Sequence, residues 1–188
     1  MVAVSPIRAC LGKAVNFLSS PLPHRRGNMA AVPGAIVELQ RNSSKWGKVV
    51  DEIVRIEKRV FPKHESLAQS FDEELSKKNG GLLYMVDGEG EVAGYVMYSW
   101  PSSLFGCITK LAVKEKYRRG GFGEALLKEA IQKCRRRNVQ RVSLHVDPSR
   151  VPAVKLYEKL GFRVDTLVEG YYSAERSAYR MYIDFPPE

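Results

Sequence analysis

The chain has 188 residues, enough for one domain with a well-formed hydrophobic core. Its 44% hydrophobic and 27% charged residues are ordinary for a soluble globular protein, and no apolar run approaches the roughly 20 residues of a membrane span. Cys10, Cys107 and Cys134 lack metal-ligand spacing, so we expect a reducing compartment and no structural disulfide. The net charge of +9 fits an anionic ligand, an acidic peptide or nucleic acid.

Residues 1–33 have the composition of an extension rather than of a folded segment. Four prolines interrupt them, and they contain no Asp or Glu. Such a basic, serine-containing start is typical of an organelle transit peptide and equally of a disordered tail, and Met29 is an alternative start. We therefore expect a cytoplasmic protein, or a plastid or mitochondrial one if the extension is a transit peptide. Residues 34–188 form one predicted domain.

The first half of that domain predicts two helices between strands. Apolar residues recur at helical spacing up to residue 60, where Pro62 ends the helix, and Asp87–Gly90 is a hairpin turn. The predicted elements are strand 35–39, helix 49–60 after a cap region at 42–44, helix 66–78, and the hairpin strands 82–86 and 92–100.

The second half alternates strands and helices. Ser143 and His145 share the polar face of their strand, and Gly161 is typical of a helix C-cap. The predicted elements are strand 108–113, helix 122–134, strand 141–146, helix 151–160, and final strands at 162–164 and 178–184. A hairpin-rich first half and a β-α-β-α-β second half predict a mixed α/β sheet.

A glycine-rich turn joins strand 108–113 to the next helix. Its glycines let the backbone approach a bulky anion, at which the first N–H groups of the helix point. Two arginines add charged donors. The glycine spacing fits neither the Walker nor the dinucleotide pattern. The turn predicts a pyrophosphate seat, with a solvated glycine-capped turn as the alternative, and consists of Arg118, Arg119, Gly120, Gly121, Phe122 and Gly123.

Arg135–Arg137 form a basic run at the end of the same helix. Cations are favourable there because of the helix dipole, so a solvated helix end is one interpretation. A contact to a ligand phosphate or an acidic substrate is the second, and nucleic acid is the third. Because the expected RNA- and DNA-binding motifs are absent from the sequence, nucleic acid is the least favoured partner.

Several segments resemble the GNAT superfamily of N-acetyltransferases. Arg118-x-x-Gly121-x-Gly123 resembles its coenzyme A signature, and Ala-x-x-x-Tyr157-x-x-x-Gly161-Phe resembles the motif that follows. The resemblance spans residues 35–185. It implies a mixed, mostly antiparallel central sheet flanked by helices, with a β-bulged strand before the coenzyme-binding helix. It also implies acetyl-CoA as co-substrate and no metal.

Two further segments resemble the protein N-terminal acetyltransferases, including the RimI type. They are Phe61-Pro62 after the first helix and Tyr171-Tyr172 before a closing Ala178-Tyr-Arg-Met. The resemblance implies that Phe61, Pro62, Tyr171 and Tyr172 bind a protein or peptide acceptor, although hairpin packing alone explains the two tyrosines. It leaves open an auxiliary subunit or ribosome association.

His145 and Tyr157 are the candidates for proton transfer. A peptide α-amine has a reference pKa near ~8, so a weak base such as His145, with a reference pKa near ~6.5, suffices to deprotonate it. The resemblance places a general base at His145 and, at Tyr157, a general acid for the leaving sulfur. The alternatives are an ordinary hydrogen bond on the sheet face for His145 and core packing for Tyr157.

Leu111, Ala112 and Val113 are expected to act through their backbone. If their strand diverges from its neighbour, its free N–H and C=O groups can pair with the pantetheine arm of the coenzyme. Their apolar side chains are equally expected of a core strand, so the sequence leaves both interpretations open.

Three positions depart from the pattern of the branch. Arg150 stands where Asn is usual, Ser177 where Asp commonly precedes the closing motif, and Cys107 where some relatives have a catalytic tyrosine. We predict an acetyl-CoA-dependent N-acetyltransferase that favours a protein α-amine. A lysine ε-amine, a polyamine-like small molecule, and a non-catalytic coenzyme- or nucleic-acid-binding module are the alternatives.

Overall fold

The computed structural model describes residues 34–40 and 43–186. The predicted extension 1–33 and residue 42 of the predicted cap region lie outside the described residues. The strands are β1 Ala35–Glu38, β2 Gly80–Val86, β3 Val92–Ser99, β4 Phe105–Val113, β5 Arg141–Val146, β6 Arg163–Ser173 and β7 Arg176–Asp184. The helices are α1 Trp46–Val60, α2 Phe71–Ser76, α3 Phe122–Arg135 and α4 Val151–Lys159, with a 3-10 turn at Glu115–Tyr117.

The predicted element order is confirmed, but some bounds are wrong. The second helix is α2, of only 6 residues rather than the predicted span 66–78. The segment before it forms turns, in which the N–H of Leu67 donates to the Glu57 carboxylate and that of Ser70 to the Leu67 carbonyl. The first helix begins earlier than predicted, at Trp46, and the closing hairpin has longer strands.

The strands form one sheet in the order β1-β2-β3-β4-β5-β7-β6. Only β4 and β5 are parallel, because α3 carries the chain back across the sheet between them. All other neighbours are antiparallel, as expected. Between β3 and β4 the register shifts, with Met97 opposite Lys110 and Tyr98 opposite Ile108. Thr109 is therefore the extra residue of a β-bulge in the strand that precedes the glycine turn.

The two faces of the sheet carry separate cores. One is covered by α3 and α4, with Leu126, Leu127 and Leu144 fully buried in it. The other is covered by α1 and α2, where Ile53 and Tyr95 are fully buried. The helices thus cover both faces of the sheet, and the ends of the strands are the places where a site can form.

Glu57 is a charged residue inside the second core. It lies one residue beyond Ile56 on the buried side of α1 and is 0% exposed. Its carboxylate accepts hydrogen bonds from the Tyr95 hydroxyl and from the N–H of Leu67 at 2.7 Å. This buried carboxylate holds the chain that leaves α1 against the sheet, because an unpaired buried carboxylate is costly.

Candidate active site

Strands β4 and β5 diverge at one end of the sheet. Their pairing runs only from Phe105 opposite Arg141 to Ile108 opposite Leu144, although β4 continues to Val113. On its other edge this last part of β4 stays paired with β3. Within the part of the chain that the structure describes, backbone groups of Leu111, Ala112 and Val113 that face β5 therefore have no strand partner there, and their pairing with an arm of the coenzyme stays a prediction.

The glycine turn contains a left-handed backbone conformation, which glycine adopts more readily than other residues. Gly121 caps α3 with φ of +80°, and Arg119 also has a positive φ, of 64°. A methyl group on Gly120 would lie 3.3 Å from the Phe122 ring, so this position is tightly packed as well. Left-handed residues before a helix turn successive N–H groups toward one point, which is the geometry of an anion-binding concavity.

Gly123, in the first turn of α3, borders the opening between the diverging strands. A methyl group there would lie 3.5 Å from Leu156 of α4 and 3.6 Å from Val113 of β4. The Nε atom of Arg118 donates to the Val113 carbonyl at 3.2 Å, which ties the turn to the end of β4. That carbonyl is therefore already engaged by the turn itself. These residues fit the pyrophosphate and the adjoining arm of coenzyme A.

His145 faces the open end of β5 with an unsatisfied nitrogen. Its ring stacks on Tyr171 at 4.4 Å between centroids, with an interplanar angle of 10°. Among the residues that the structure describes, none hydrogen-bonds its buried Nε2 atom. Burial, with the charge of Arg180 added, lowers the pKa of His145 and favours the neutral imidazole. A neutral, unpartnered nitrogen is available to accept a proton.

Tyr157 projects from α4 and is 8% exposed. Its ring packs edge-on against Phe162, at 6.0 Å between centroids. Burial raises the pKa of Tyr157, with a contribution from Tyr172, against the opposing charge of Arg150. The phenol consequently stays protonated at neutral pH, so its core packing is compatible with the predicted acid role, which stays a prediction.

The hairpin of β6 and β7 covers the site with two tyrosines. Tyr171 lies on the His145 ring, and the Tyr172 hydroxyl makes a long hydrogen bond of 3.4 Å to the His145 carbonyl. The two tyrosine rings pack edge to face at 4.9 Å. Burial raises the pKa of Tyr172 to about 12, so this hydroxyl is also neutral and able to donate. The hairpin thus fixes His145 from the ring side and from the backbone side.

The loop after α1, residues 61–70, faces this hairpin. Its Glu65 carboxylate pairs with Arg176 at the start of β7, at 2.5 Å. Arg176 also holds Asp147 through two nitrogens, at 3.0 and 2.6 Å. Burial would raise the pKa of Asp147, but hydrogen bonds from Ser149 and Arg176 prevail and bring it to about 2. This Glu65–Arg176–Asp147 bridge joins the loop after α1, the start of β7 and the residues that follow β5.

Phe61 and Pro62 lie at the start of the same loop. The Phe61 ring contacts Lys110 of β4 and faces Arg150 before α4, while Pro62 is exposed. The two predicted acceptor segments, Phe61-Pro62 and Tyr171-Tyr172, thus lie on two elements that Glu65 and Arg176 tie together. Of these residues, Tyr171 and Tyr172 lie against His145, and the acceptor role of all four stays a prediction.

Comparison with known proteins shows which family uses this arrangement. A profile of the acetyltransferase (GNAT) family matches residues 49–162. The chain belongs to the GNAT family. It is 34% identical over 144 residues, 70% of this chain and 84% of the relative, to the N-alpha-acetyltransferase of Sulfolobus acidocaldarius. This chain is accordingly an N-acetyltransferase.

Two solved structures share the fold of this chain. The ribosomal-protein-S18-alanine N-acetyltransferase of Escherichia coli superposes with a TM-score of 0.70 and 23% identity, over 82% of this chain and 96% of that chain. The NatC complex bound to Gag peptide and CoA contains a chain that superposes with a TM-score of 0.70 and 19% identity, over 82% and 99%. The predicted resemblance to this superfamily is confirmed.

The sequence interpretation of this GNAT site missed the charged residues that join these elements. Arg150 stood out only as a departure from the pattern of the branch, and nothing in the sequence singled out Glu65, Asp147 or Arg176. The sequence around them gives little signal, because residues 61–70 and 147–150 each contain only one acidic residue and one Lys or Arg. A contact such as Glu65–Arg176, between positions 111 residues apart, needs the tertiary structure.

Arg135–Arg137 lie at the opposite end of α3 from the glycine turn. A helix of 14 residues is about 20 Å long, so these arginines are remote from the pyrophosphate seat. Arg137 stacks on Trp100 at 3.8 Å, and Arg135 faces Phe185 at 5.2 Å. This placement does not support the alternative that the run contacts a coenzyme phosphate at the predicted seat.

Other features can be reported for the described part of the chain. Within residues 34–40 and 43–186, no helix is long and apolar enough to cross a membrane. No group of three or more His, Cys, Asp or Glu side chains able to hold a metal occurs in these same ranges. Cys107 and Cys134 form no disulfide with each other, and Cys10 lies outside the described residues.

Proposed function

We propose that this GNAT enzyme transfers the acetyl group of acetyl-CoA to the N-terminal α-amine of a protein or peptide. The observation that carries the proposal is the buried Nε2 atom of His145, which none of the described residues satisfies and which lies at the open end of β4 and β5. An orphaned buried nitrogen is costly unless a ligand or a reacting group uses it.

Each part of the site would have a defined task. The glycine turn and the open edge of β4 would hold the coenzyme, which supplies an acetyl thioester when bound. His145, held neutral, would accept a proton from the incoming amine, directly or through water. Tyr157, held protonated, would donate to the sulfur that leaves. Phe61, Pro62, Tyr171 and Tyr172 would line the acceptor groove.

The basicity of the acceptor favours an α-amine over a lysine. Their reference pKa values, near ~8 and ~10.4, differ by roughly 2.4 units, which corresponds to ~3 kcal/mol of additional deprotonation for lysine. His145, whose pKa is lowered, is a weak base and is better matched to the α-amine. A polyamine finds no excess of acidic residues here, because Lys110, Arg150 and Arg176 are matched in number by Glu57, Glu65 and Asp147.

Two peptides of equal length test which kind of amine the enzyme acetylates. The first has a free N-terminus and no lysine; the second has the same length, a blocked N-terminus and one internal lysine. With acetyl-CoA at neutral pH, we expect the free α-amine peptide to be acetylated faster, as measured by mass spectrometry. Faster acetylation of the blocked lysine peptide would replace the N-terminal proposal with the lysine alternative.

The partners of this chain also belong to the proposal. A protein or peptide acceptor fits the proposed reaction, and the solved relative from NatC is part of a complex. We propose that an auxiliary subunit or the ribosome presents the acceptor to this enzyme. Purification of the full chain under gentle conditions, followed by sizing with and without ribosomes, tests this. An isolated chain with full activity on proteins and no co-migration would contradict it.

A further inference from the structure

Arg176 lies where three segments of the chain meet. One nitrogen of its guanidinium donates to the Glu65 carboxylate at 2.5 Å, and two others donate to the Asp147 carboxylate at 3.0 and 2.6 Å. Glu65 belongs to the loop after α1, Arg176 begins β7, and Asp147 directly follows β5. A guanidinium is planar and has donors on several edges, so one arginine can bind two carboxylates at fixed positions.

Both carboxylates are largely removed from water. The side chains of Glu65 and Asp147 are each 9% exposed, whereas that of Arg176 is 34% exposed. Glu65 also reaches Arg150 and His64, but at the longer distances of 3.5 and 3.6 Å. Because an unpaired buried carboxylate is costly, the positions of both side chains depend on the arginine between them.

Arg176 also contacts the hairpin that covers His145. Its guanidinium carbon lies 5.1 Å from the centroid of the Tyr172 ring. The Tyr172 hydroxyl donates to the His145 carbonyl at 3.4 Å, and Asp147 is two residues beyond His145 in the chain. Arg176 thus links the loop after α1 to the hairpin and to the strand end that carry Tyr172 and His145.

The loop after α1 is held at several points along its backbone. The Glu57 carboxylate accepts from the N–H of Leu67 at 2.7 Å, and the Lys110 ammonium donates to the Glu65 carbonyl at 2.5 Å. These contacts tie the loop to α1 and β4. The contact between Glu65 and Arg176 ties it to the closing hairpin, so it bears on how the two predicted acceptor segments lie relative to each other.

We propose that Arg176 is a positioning residue, which fixes the loop after α1 against the closing hairpin and thereby sets how tightly the acceptor binds. The inference rests on the proposed acetylation of a protein amine, in which these two elements bind the acceptor. Arg176 acts through Glu65 and Asp147 rather than on the reacting atoms. Within the described residues no hydrogen bond joins it to the glycine turn, so coenzyme binding should not depend on it.

Arg176→Lys is the main test. Lysine keeps a positive charge beside the two buried carboxylates, but its ammonium lacks the planar fork that holds both of them. We expect the KM for a peptide acceptor to rise roughly 10-fold, as the loss of one charge-assisted hydrogen bond provides, with kcat and the KM for acetyl-CoA changed less than about twofold. A general loss of structure would instead lower kcat.

Arg163→Lys is the matched control. It makes the same substitution at the other end of the same hairpin, where the exposed Arg163 contacts Asp184 at 3.4 Å. All three kinetic constants should stay as in the wild type. An equal rise in the peptide KM in this control would show that the effect is not specific to Arg176, and would refute the proposal.

A charge-free variant guards against a failure to fold. Arg176→Met alone leaves two buried carboxylates without their partner, so it is combined with Glu65→Gln and Asp147→Asn. This triple variant removes the bridge without leaving an orphaned charge. Its thermal unfolding should show a folded protein, and its peptide KM should still be raised. A wild-type peptide KM in the folded triple variant would contradict the positioning role.

Hydrogen exchange followed by mass spectrometry tests the bridge without relying on activity. In Arg176→Lys, we expect faster exchange in residues 61–70 and 171–176 and unchanged exchange in α3. Unchanged exchange in the loop, or equally faster exchange throughout the domain, would refute a local positioning role.

The outcomes separate this inference from the proposed function. If the wild type acetylates peptides and Arg176→Lys has the wild-type peptide KM, the positioning role is refuted and N-terminal acetylation stands. If the wild type acetylates no peptide, the proposed function fails, and hydrogen exchange alone decides. Faster exchange confined to the loop and the hairpin then supports Arg176 as the residue that fixes them, and any other pattern refutes it.

Discussion

Alanine substitutions at Gly121 and Gly123 can distinguish a loss of coenzyme binding from a loss of fold stability. Both lie in the glycine turn, but only Gly121 has a left-handed backbone, with φ of +80°. Gly123 is the second residue of α3, and a methyl group on it would make ordinary contacts at 3.5 and 3.6 Å with Leu156 and Val113. We therefore expect alanine at the two positions to change stability in opposite directions.

Gly123→Ala should stabilise the fold and weaken coenzyme binding. Alanine in a helix is favoured over glycine by up to about 1 kcal/mol, which corresponds to a rise in Tm of roughly 2–4 °C for a domain of this size. The added methyl group enters the opening between β4 and α4, where the coenzyme is predicted to pass. Gly121→Ala should instead destabilise by roughly 1–2 kcal/mol, because an L-residue is strained at a left-handed φ.

Thermal unfolding and calorimetric titration with acetyl-CoA measure both effects on the same samples. For Gly123→Ala we expect an unchanged or higher Tm together with a clearly higher Kd for acetyl-CoA. Such a combination cannot arise from misfolding. Wild-type affinity in a well-folded Gly123→Ala protein would refute the placement of the coenzyme between the α3 N-terminus and the diverging strands.

Further predictions concern catalysis, stability and the extension. His145→Ala and Tyr157→Phe should each lower kcat by ~10²–10⁴-fold with little change in acetyl-CoA affinity; wild-type turnover in both would refute their roles. Because the pKa of His145 is lowered from 6.5, its protonation should reduce kcat only below that pH, a limb that His145→Ala should lack in a pH profile. Glu57→Ala should destabilise by about 1–3 kcal/mol in urea unfolding, since it orphans two buried donors. Deleting residues 1–33 should leave Tm and acetylation rate nearly unchanged, and a reporter fusion should show whether they direct import into an organelle; a large loss of stability would make them part of the fold.

Local patterns predicted the parts of the site that lie close together in sequence. The glycine turn and α3 form one continuous segment, so their spacing alone indicated a helix N-terminus suited to an anion. The alternation of polar and apolar residues in β5 predicted that His145 lies on the other face of the strand from the buried Leu144. The alternating burial along this strand confirms that prediction. Tyr157 follows twelve residues later on the next helix, within the same strand–helix unit.

The prediction was wrong where a distant residue determines the local conformation. The sequence from Ser66 onward favours a helix, but the buried carboxylate of Glu57 binds the N–H of Leu67 and holds this segment in turns. A single strong interaction in a buried setting outweighs the weak helix propensity of several residues. Propensity therefore located α2 correctly and overestimated its length.

The sequence by itself determined the family, the coenzyme-type turn and the candidates for proton transfer, because these depend on residues joined by short stretches of chain. Only the tertiary structure decided what surrounds them. The divergence of β4 from β5, the orphaned nitrogen of His145, the Glu65–Arg176–Asp147 bridge and the cations beside Phe61 all depend on strand register and on segments far apart in sequence. Charge compensation and desolvation act through space between residues that are far apart in sequence. The electrostatics of the predicted acceptor side therefore depend on the tertiary structure.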